Sequence, residues 1–316
     1  MDIPQTGSTA RVDIVAYGEP MVEFNQTGQQ DGRQYLQGFG GDTSNAVIAA
    51  ARAGARTAYL TRVGDDAFGR ALLELWQKEG VDTQAVQSDP SAPTGIYFVT
   101  HGAKGHEFSY LRAGSAASRM APQWLDEGAA TVIKTSRILH VSGISLAISP
   151  TALDTSLAAM KLAREHGVLV SFDSNLRLKL WTLEAARAGI ASAMALCDIF
   201  LPSLEDIAAL TGTSDAGTVI DWGHGAGAGT VVLKLGAGGA LASDGRRRER
   251  IAPHLVGVVD ATGAGDCFAG NLLARLAAGD DVFAAARFAN AAAALAVQGY
   301  GAVAPLPWPA QVEALL

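Results

Sequence analysis

An α/β protein with a mostly parallel central sheet is the fold class this sequence predicts, and three observations carry it. Short β-rich runs alternate with longer segments of helical period through the middle and C-terminal parts of the chain. Runs such as Val231-Val232-Leu233 are apolar at successive positions, as strands covered on both faces are. The 316 residues are 49% hydrophobic and 17% charged, ample for a large core.

In chain order, a strand is expected at 11–17. Residues 21–38 then break the alternation: strand-like pieces flank Gln29-Gln30-Asp31-Gly32 and no helix is visible. A helix at 43–53, a strand at 57–63 and a helix at 67–79 follow, the last capped by Asp65 or Asp66. Two more strand-like pieces, 96–100 and 107–111, surround a turn at 102–105. Together with 21–38 they fit antiparallel strands that leave the main sheet and form a small lid, segments 19–38 and 94–115. Strands at 137–142, 168–173 and 199–202 alternate with helices at 151–166 and 183–197. The glycine-alanine stretch 223–229 reads as a loop before a strand at 230–235. Ser243-Asp244-Gly245 is a turn signal, and Arg246-Arg247-Arg248-Glu249-Arg250 after it reads as a solvated hairpin. Helices at 264–277 and 282–297 close the chain, the second too short to span a bilayer. No repeat or low-complexity linker divides the sequence, so residues 1–316 are expected to form a single domain carrying the lid.

Composition excludes several function classes. A net charge of −7 argues against nucleic acid. Residues 1–9 are polar and lack the basic-then-apolar order of a signal peptide. Cys197 and Cys267 lie far apart in apolar surroundings, with neither disulfide nor metal spacing, which points to a reducing cytoplasm. None of the six histidines has metal-ligand spacing, and His140 reads as a core or site-edge residue.

The stretch Val258-Val259-Asp260-Ala261-Thr262-Gly263-Ala264-Gly265-Asp266 reads as a strand end, a glycine turn and the first turn of a helix. Such a turn exposes backbone N–H groups of Gly263, Ala264 and Gly265 at the positive end of a helix dipole, a site for an anion. A carboxylate inside an anion site needs a task of its own. For Asp266 that task is taking a proton from an attacking hydroxyl, with an ordinary carboxylate pKa. A carboxylate beside an anion cradle therefore points to phosphoryl transfer onto an alcohol, and a lid would keep water out.

Four more stretches accompany this one: Gly38-Phe39-Gly40-Gly41-Asp42-Thr43-Ser44-Asn45-Ala46, Arg62-Val63-Gly64-Asp65-Asp66-Ala67-Phe68-Gly69, Phe172-Asp173-Ser174-Asn175-Leu176-Arg177, and Leu233-Lys234-Leu235-Gly236-Ala237-Gly238-Gly239. In this order the five motifs resemble the ribokinase-like (PfkB) sugar kinases over nearly the whole chain. Within that family the sequence resembles the 2-keto-3-deoxygluconate kinases, through Gly18-Glu19-Pro20-Met21-Val22-Glu23, Phe108-Ser109-Tyr110-Leu111-Arg112-Ala113-Gly114-Ser115-Ala116-Ala117 and Leu178-Lys179-Leu180-Trp181. The resemblance implies a three-layer α/β sandwich with a β lid, ATP with Mg²⁺, and transfer to the terminal hydroxyl of an acidic keto sugar. It also implies a monovalent-cation site near 258–261 and 299–305.

The residues support a sugar acid in their own right. Arginine binds a carboxylate through a bidentate fork, and Arg112 and Arg177 are the candidates. Tyr97 and Tyr110 offer flat faces and hydroxyls to a sugar. Gly41, Asp42 and Asn45 sit where a lid strand returns to a helix, and Asp42 is expected both to cap that helix and to read hydroxyls. On the nucleotide side, Gly236, Gly238 and Gly239 resemble the family's ATP turn, which matches neither a Walker A loop nor a dinucleotide fingerprint. Lys234 either approaches phosphates or is a solvated strand-end charge. Asn290 either borders the adenine or makes an interhelical bond. The family's Asn-x-x-Glu is replaced by Ser203-Leu204-Glu205-Asp206. Glu205 or Asp206 is expected to act on Mg²⁺ through water, with Asn175 sharing the role. Exposed lid strands are expected to pair subunits into a homo-oligomer. Rival readings are a fructokinase, ribokinase or 2-keto-3-deoxygalactonate kinase, a non-catalytic sugar-binding regulator, and a dinucleotide-dependent enzyme.

Overall fold

A computed structural model describes residues 12–27, 32–102, 105–125 and 127–316. The expectation for residues 1–9 lies outside them, as do Gln29, Gln30 and Asp31 of the first lid turn. In chain order the elements are β1 (Val12–Tyr17), β2 (Met21–Gln26), β3 (Tyr35–Gly40), α1 (Asp42–Arg52), β4 (Thr57–Gly64), α2 (Ala67–Lys78), β5 (Val81–Asp82) and β6 (Val86–Asp89). Next come β7 (Gly95–Gly102), β8 (Gly105–Leu111), α3 (Glu127–Lys134), β9 (Ser136–Ser142), α4 (Gly143–Ala147), α5 (Pro150–Glu165), β10 (Leu169–Asp173), α6 (Leu183–Met194) and β11 (Ile199–Phe200). The chain ends with α7 (Leu204–Thr211), α8 (Ala216–Gly225), β12 (Thr230–Lys234), β13 (Ala240–Ser243), β14 (Arg248–Ile251), α9 (Ala264–Ala278), α10 (Val282–Ala296) and α11 (Pro309–Glu313).

Among the described residues the main sheet runs β14-β13-β12-β11-β10-β9-β1-β4-β5, with β6 on the far end of β4. It is parallel from β12 to β5, and antiparallel only at the β12-β13-β14 edge. Both faces are covered, and the alternation within β1 shows how. Val15 and Tyr17 join the apolar cluster shared with α3, α5, α6, α7 and α8. Ile14 and Ala16 point the other way, into the clusters under α1, α2, α9 and α10. Successive side chains of a strand face opposite sides, so a strand buried on both sides must be apolar throughout. Phe172 of β10 and Phe200 of β11 stack with ring centroids 6.3 Å apart inside the first cluster.

The lid is a second sheet of order β3-β2-β7-β8. Its two hairpins are antiparallel, as expected, but β2 and β7 pair in parallel, with Met21 opposite Gly95. The expectation of purely antiparallel strands fails because β2 and β7 each begin at the main body and run outward side by side.

Two further expectations are corrected. Residues 252–259 form no strand, because the hairpin β13–β14 already closes the sheet edge; Leu255 and Val258 stand exposed outside it. The 223–229 stretch is helical through Gly225: Asp215 caps α8 by accepting from the Thr218 N–H, and Gly223 packs on Val231 and Phe200. The short helices α3, α4, α7 and α11 and strands β5 and β6 carry too little period to be read locally. The arginine-rich hairpin is present as β13–β14, its charges spread over Glu249, Asp221 and the ring of Phe283.

Candidate active site

The C-terminal ends of β10 and β12, the first turns of α1 and α9, and the lid converge on one cleft. Helix α9 starts at Gly263, whose φ of 75° is a left-handed value that suits glycine and whose Cβ position Ala302 would obstruct. Among the described residues the N–H groups of Gly263, Gly265 and Asp266 have no protein acceptor. Ala264 was expected to belong to this cradle, but its N–H is spent on the Ala261 carbonyl at 3.2 Å, because the turn is tight there. Asp260 braces the turn, accepting from the N–H and hydroxyl of Thr262 and from the Gly301 N–H. The 258–261 and 299–305 segments therefore touch.

Asp266 lies in the first turn of α9 and accepts from Nδ2 of Asn45 in α1 at 2.8 Å. Burial, reinforced by the nearby charge of Asp42, pushes its carboxyl up to about 7; the Asn45 bond and Lys234 act against this. The ordinary carboxylate pKa expected from sequence is therefore corrected: protein surrounds the group and two aspartates share its neighbourhood.

Asp42 follows Gly41, the N-cap of α1, which has φ of 99° and lies flush on the Glu19–Pro20 backbone. One oxygen of Asp42 accepts from the Thr43 N–H and the other from Nδ2 of Asn175, both at 2.8 Å. Asn175, expected on the nucleotide side, is thereby turned toward α1; its φ of 26° marks the sharp exit from β10. The buried Asp173 is paired with Lys234. Lys234 is not a solvated strand-end charge. Its ammonium lies 3.5 Å from where a Gly265 side chain would begin, so it borders the bare turn of α9. In the sequence the signal for Asp173 is its place at the end of β10, where open α/β sheets gather ligands.

The remaining nucleotide-side candidates divide. Gly236 and Gly238 bound a 3-10 turn after β12, and Gly239 returns the chain into β13 against the Ile251 carbonyl. Asn290 donates to the Ala252 carbonyl at 2.8 Å, so its bond reaches the loop after β14 and is not interhelical. Ser203 caps α7 by accepting from the Asp206 N–H, and Asp206 accepts from the Ser174 hydroxyl at 2.8 Å. Glu205 points to solvent.

On the lid side, Arg112 is held by Glu19, a fully buried carboxylate that also accepts from Ser115. Glu19 lies in the motif at 18–23, and no local pattern signals that it holds Arg112. Tyr97 is buried, donates to Glu23 and lies 5.7 Å, ring to ring, from the half-exposed Tyr110. Arg177 is exposed and, among the described residues, has no ion pair; its charge is felt by both Asp42 and Tyr110. Elsewhere, Asp66 caps α2, His140 is buried against Ser171, and Cys267 is buried with its thiol pushed up. Among the described residues no three His, Cys, Asp or Glu side chains gather around a common metal position, and no helix is long and apolar enough to cross a membrane.

Known proteins share the fold and the family of this chain. The family model described as pfkB family carbohydrate kinase matches residues 11–309. The 2-dehydro-3-deoxygluconokinase of Thermoproteus tenax is 37% identical over 317 residues, covering 97% of this chain and 95% of the relative. A putative ribokinase II from E. coli, solved in complex with ATP and Mg²⁺, superposes with a TM-score of 0.88 at 26% identity, over 96% of this chain and 98% of that one. A double mutant of the Vibrio cholerae fructokinase, solved with fructose, ADP and potassium, gives 0.87 at 30% identity, over 98% and 99%.

Proposed function

The chain belongs to the pfkB family of carbohydrate kinases, and from that premise we propose that it transfers a phosphoryl group from ATP to the terminal hydroxyl of 2-keto-3-deoxygluconate. The observation that carries the chemistry is the juxtaposition of Asp266 with the unpaired N–H groups of its own helix turn and with Lys234. Asp266 takes the proton of the sugar hydroxyl as its oxygen bonds to the γ-phosphorus. The bond from that phosphorus to the β-bridging oxygen breaks, and ADP leaves with the electron pair. The N–H groups of Gly263 and Gly265, with Lys234, hold the charge on the transferring group. A base titrating near neutrality is matched to this task.

Magnesium fits as a phosphate-borne ion. Asp206, beside the Ser174 hydroxyl, supplies a hard oxygen donor at the strand ends, and Mg²⁺ binds through one or two carboxylates, phosphate and water. When bound it screens phosphate charge. The contact between the 258–261 and 299–305 segments, and the potassium in the fructokinase structure, support a monovalent cation near Asp260. Exposed Tyr35, Leu36, Tyr110 and Leu111 on the lid support its pairing with a second copy.

For the substrate, Arg177 is, of the two candidate arginines, the one with no carboxylate partner among the described residues, so it is the group to receive a sugar acid. A fructokinase is the second reading, favoured by the neutralisation of Arg112 by Glu19, which leaves only one of the two candidate arginines for a carboxylate. A coupled ADP-release assay with 2-keto-3-deoxygluconate, its galactonate epimer, fructose and ribose decides. We expect the first to give the highest kcat/KM; a preference for fructose would overturn the acid reading and leave the kinase standing.

A further inference from the structure

We propose that Asn45 is a positioning residue for the base: reaching across the α1–α9 crossing, it fixes one oxygen of Asp266 and leaves the other to face the sugar hydroxyl. The inference rests on the assignment of Asp266 as base. Asn45 is buried, and its Nδ2 donates to Oδ2 of Asp266 at 2.8 Å. Among the described residues, Oδ1 of Asp266 has no hydrogen-bond partner. Oδ1 of Asn45 is itself buried with none, so the amide is turned to serve the carboxylate at the expense of its own acceptor.

The packing explains how the amide reaches. Asp266 and Gly270 lie one turn apart on the same face of α9. A Cβ at Gly270 would sit 2.1 Å from the Ala46 carbonyl oxygen and 2.8 Å from the Ala49 side chain. The two helices therefore touch backbone to backbone, one residue beyond Asn45. A side chain at Gly270 would push α1 away and carry the amide out of reach.

The charge setting gives the bond its consequence. Asp42 on α1 and Asp173 on β10 disfavour ionisation of Asp266, and Lys234 on β12 favours it. Tyr97 of the lid and Cys267 face it as neutral groups. The Asn45 bond, with Lys234, thus helps keep the base ionised near neutral pH.

The test is the pH profile of kcat for Asn45→Leu and Asn45→Ser, with the sugar that turns over in the panel and ATP, beside Asp266→Asn. We expect Asn45→Leu to keep its circular dichroism spectrum and to lose ten- to a hundredfold in kcat. Its sugar KM should hold within about threefold, and its acid limb should move up by about one pH unit, as loss of a charge-assisted hydrogen bond implies. Asn45→Ser, which retains a short donor, should recover part of both; it also decides the matter alone if the leucine variant does not fold. An unmoved acid limb, or a loss carried by KM alone, overturns the proposal and makes Asn45 a substrate ligand only. Full turnover in Asp266→Asn would instead remove the base assignment itself.

Discussion

Two groups of buried acids face each other across the cleft, and they are satisfied differently. On the lid side each carboxylate has its own donors: Glu19 has Arg112 and Ser115, and Glu23 has Tyr97 and Asn25. On the body side Asp42, Asp173 and Asp266 share one ammonium, Lys234, and the side-chain amides of Asn45 and Asn175. Buried charge is costly unless matched, so the lid cluster is a finished structural element and the body cluster is short of positive charge. The body cluster is where a carboxyl is pushed to about 7.

The sharpest way to break this contrast is Asp266→Asn. We expect kcat, followed by ADP release, to fall by about a thousandfold with the fold intact. In the parent, activity should decline as pH falls through about 7, since the base must be ionised. Stability runs the opposite way. The folded carboxyl titrates above its usual range, so its contribution is fully present below the unfolded pKa of roughly 4 and is lost as pH rises through about 7. Asp266→Asn should therefore melt above the parent at pH 8, with the gap closing by pH 5.

Lys234→Met removes the one ammonium of the body cluster. It should lower kcat/KM for ATP by roughly ten- to a hundredfold, the scale of a charge-assisted contact; an unchanged value would mean the lysine serves Asp173 alone. The two arginines sharpen the comparison further. Arg112→Ala leaves Glu19 buried and unpaired, and should cost on the order of 3 kcal/mol of stability in a denaturant melt, hurting acidic and neutral sugars alike. Arg177→Ala should leave the melt unchanged and lower the preference for the acid over fructose by about tenfold. Equal losses for both sugars would remove the carboxylate role. The smallest effect is expected for Glu205→Ala: an exposed side chain, whose loss should keep activity within about twofold in a magnesium titration.

The alternation of apolar runs, the capping of α2 by Asp66 and the helix start at Gly263 were legible because each is set by neighbours within a few residues. The acids and amides of the site were legible as motifs, but their pairing was not. Lys234 looks solvated until Asp173, 61 positions away, is brought beside it, and Asn175 looks like a nucleotide ligand until it is seen bonded to Asp42. Arg112 looks like a free carboxylate receptor until Glu19 is found holding it. Glycines give mixed signals: Gly263 marks a turn, whereas Gly223 marks a tight helix contact inside a stretch whose composition suggests a loop.

By itself, the sequence determined the alternation of the main strands with the long helices, the bare-backbone turn before α9 and the set of polar residues available to a site, since periodicity, capping and turn chemistry are local. Only the tertiary structure decided that β2 runs parallel to β7, that Asn45 meets Asp266 across 221 positions, and that this carboxyl titrates near neutrality. Those outcomes depend on desolvation and on contacts between distant segments, which no local pattern in the chain encodes.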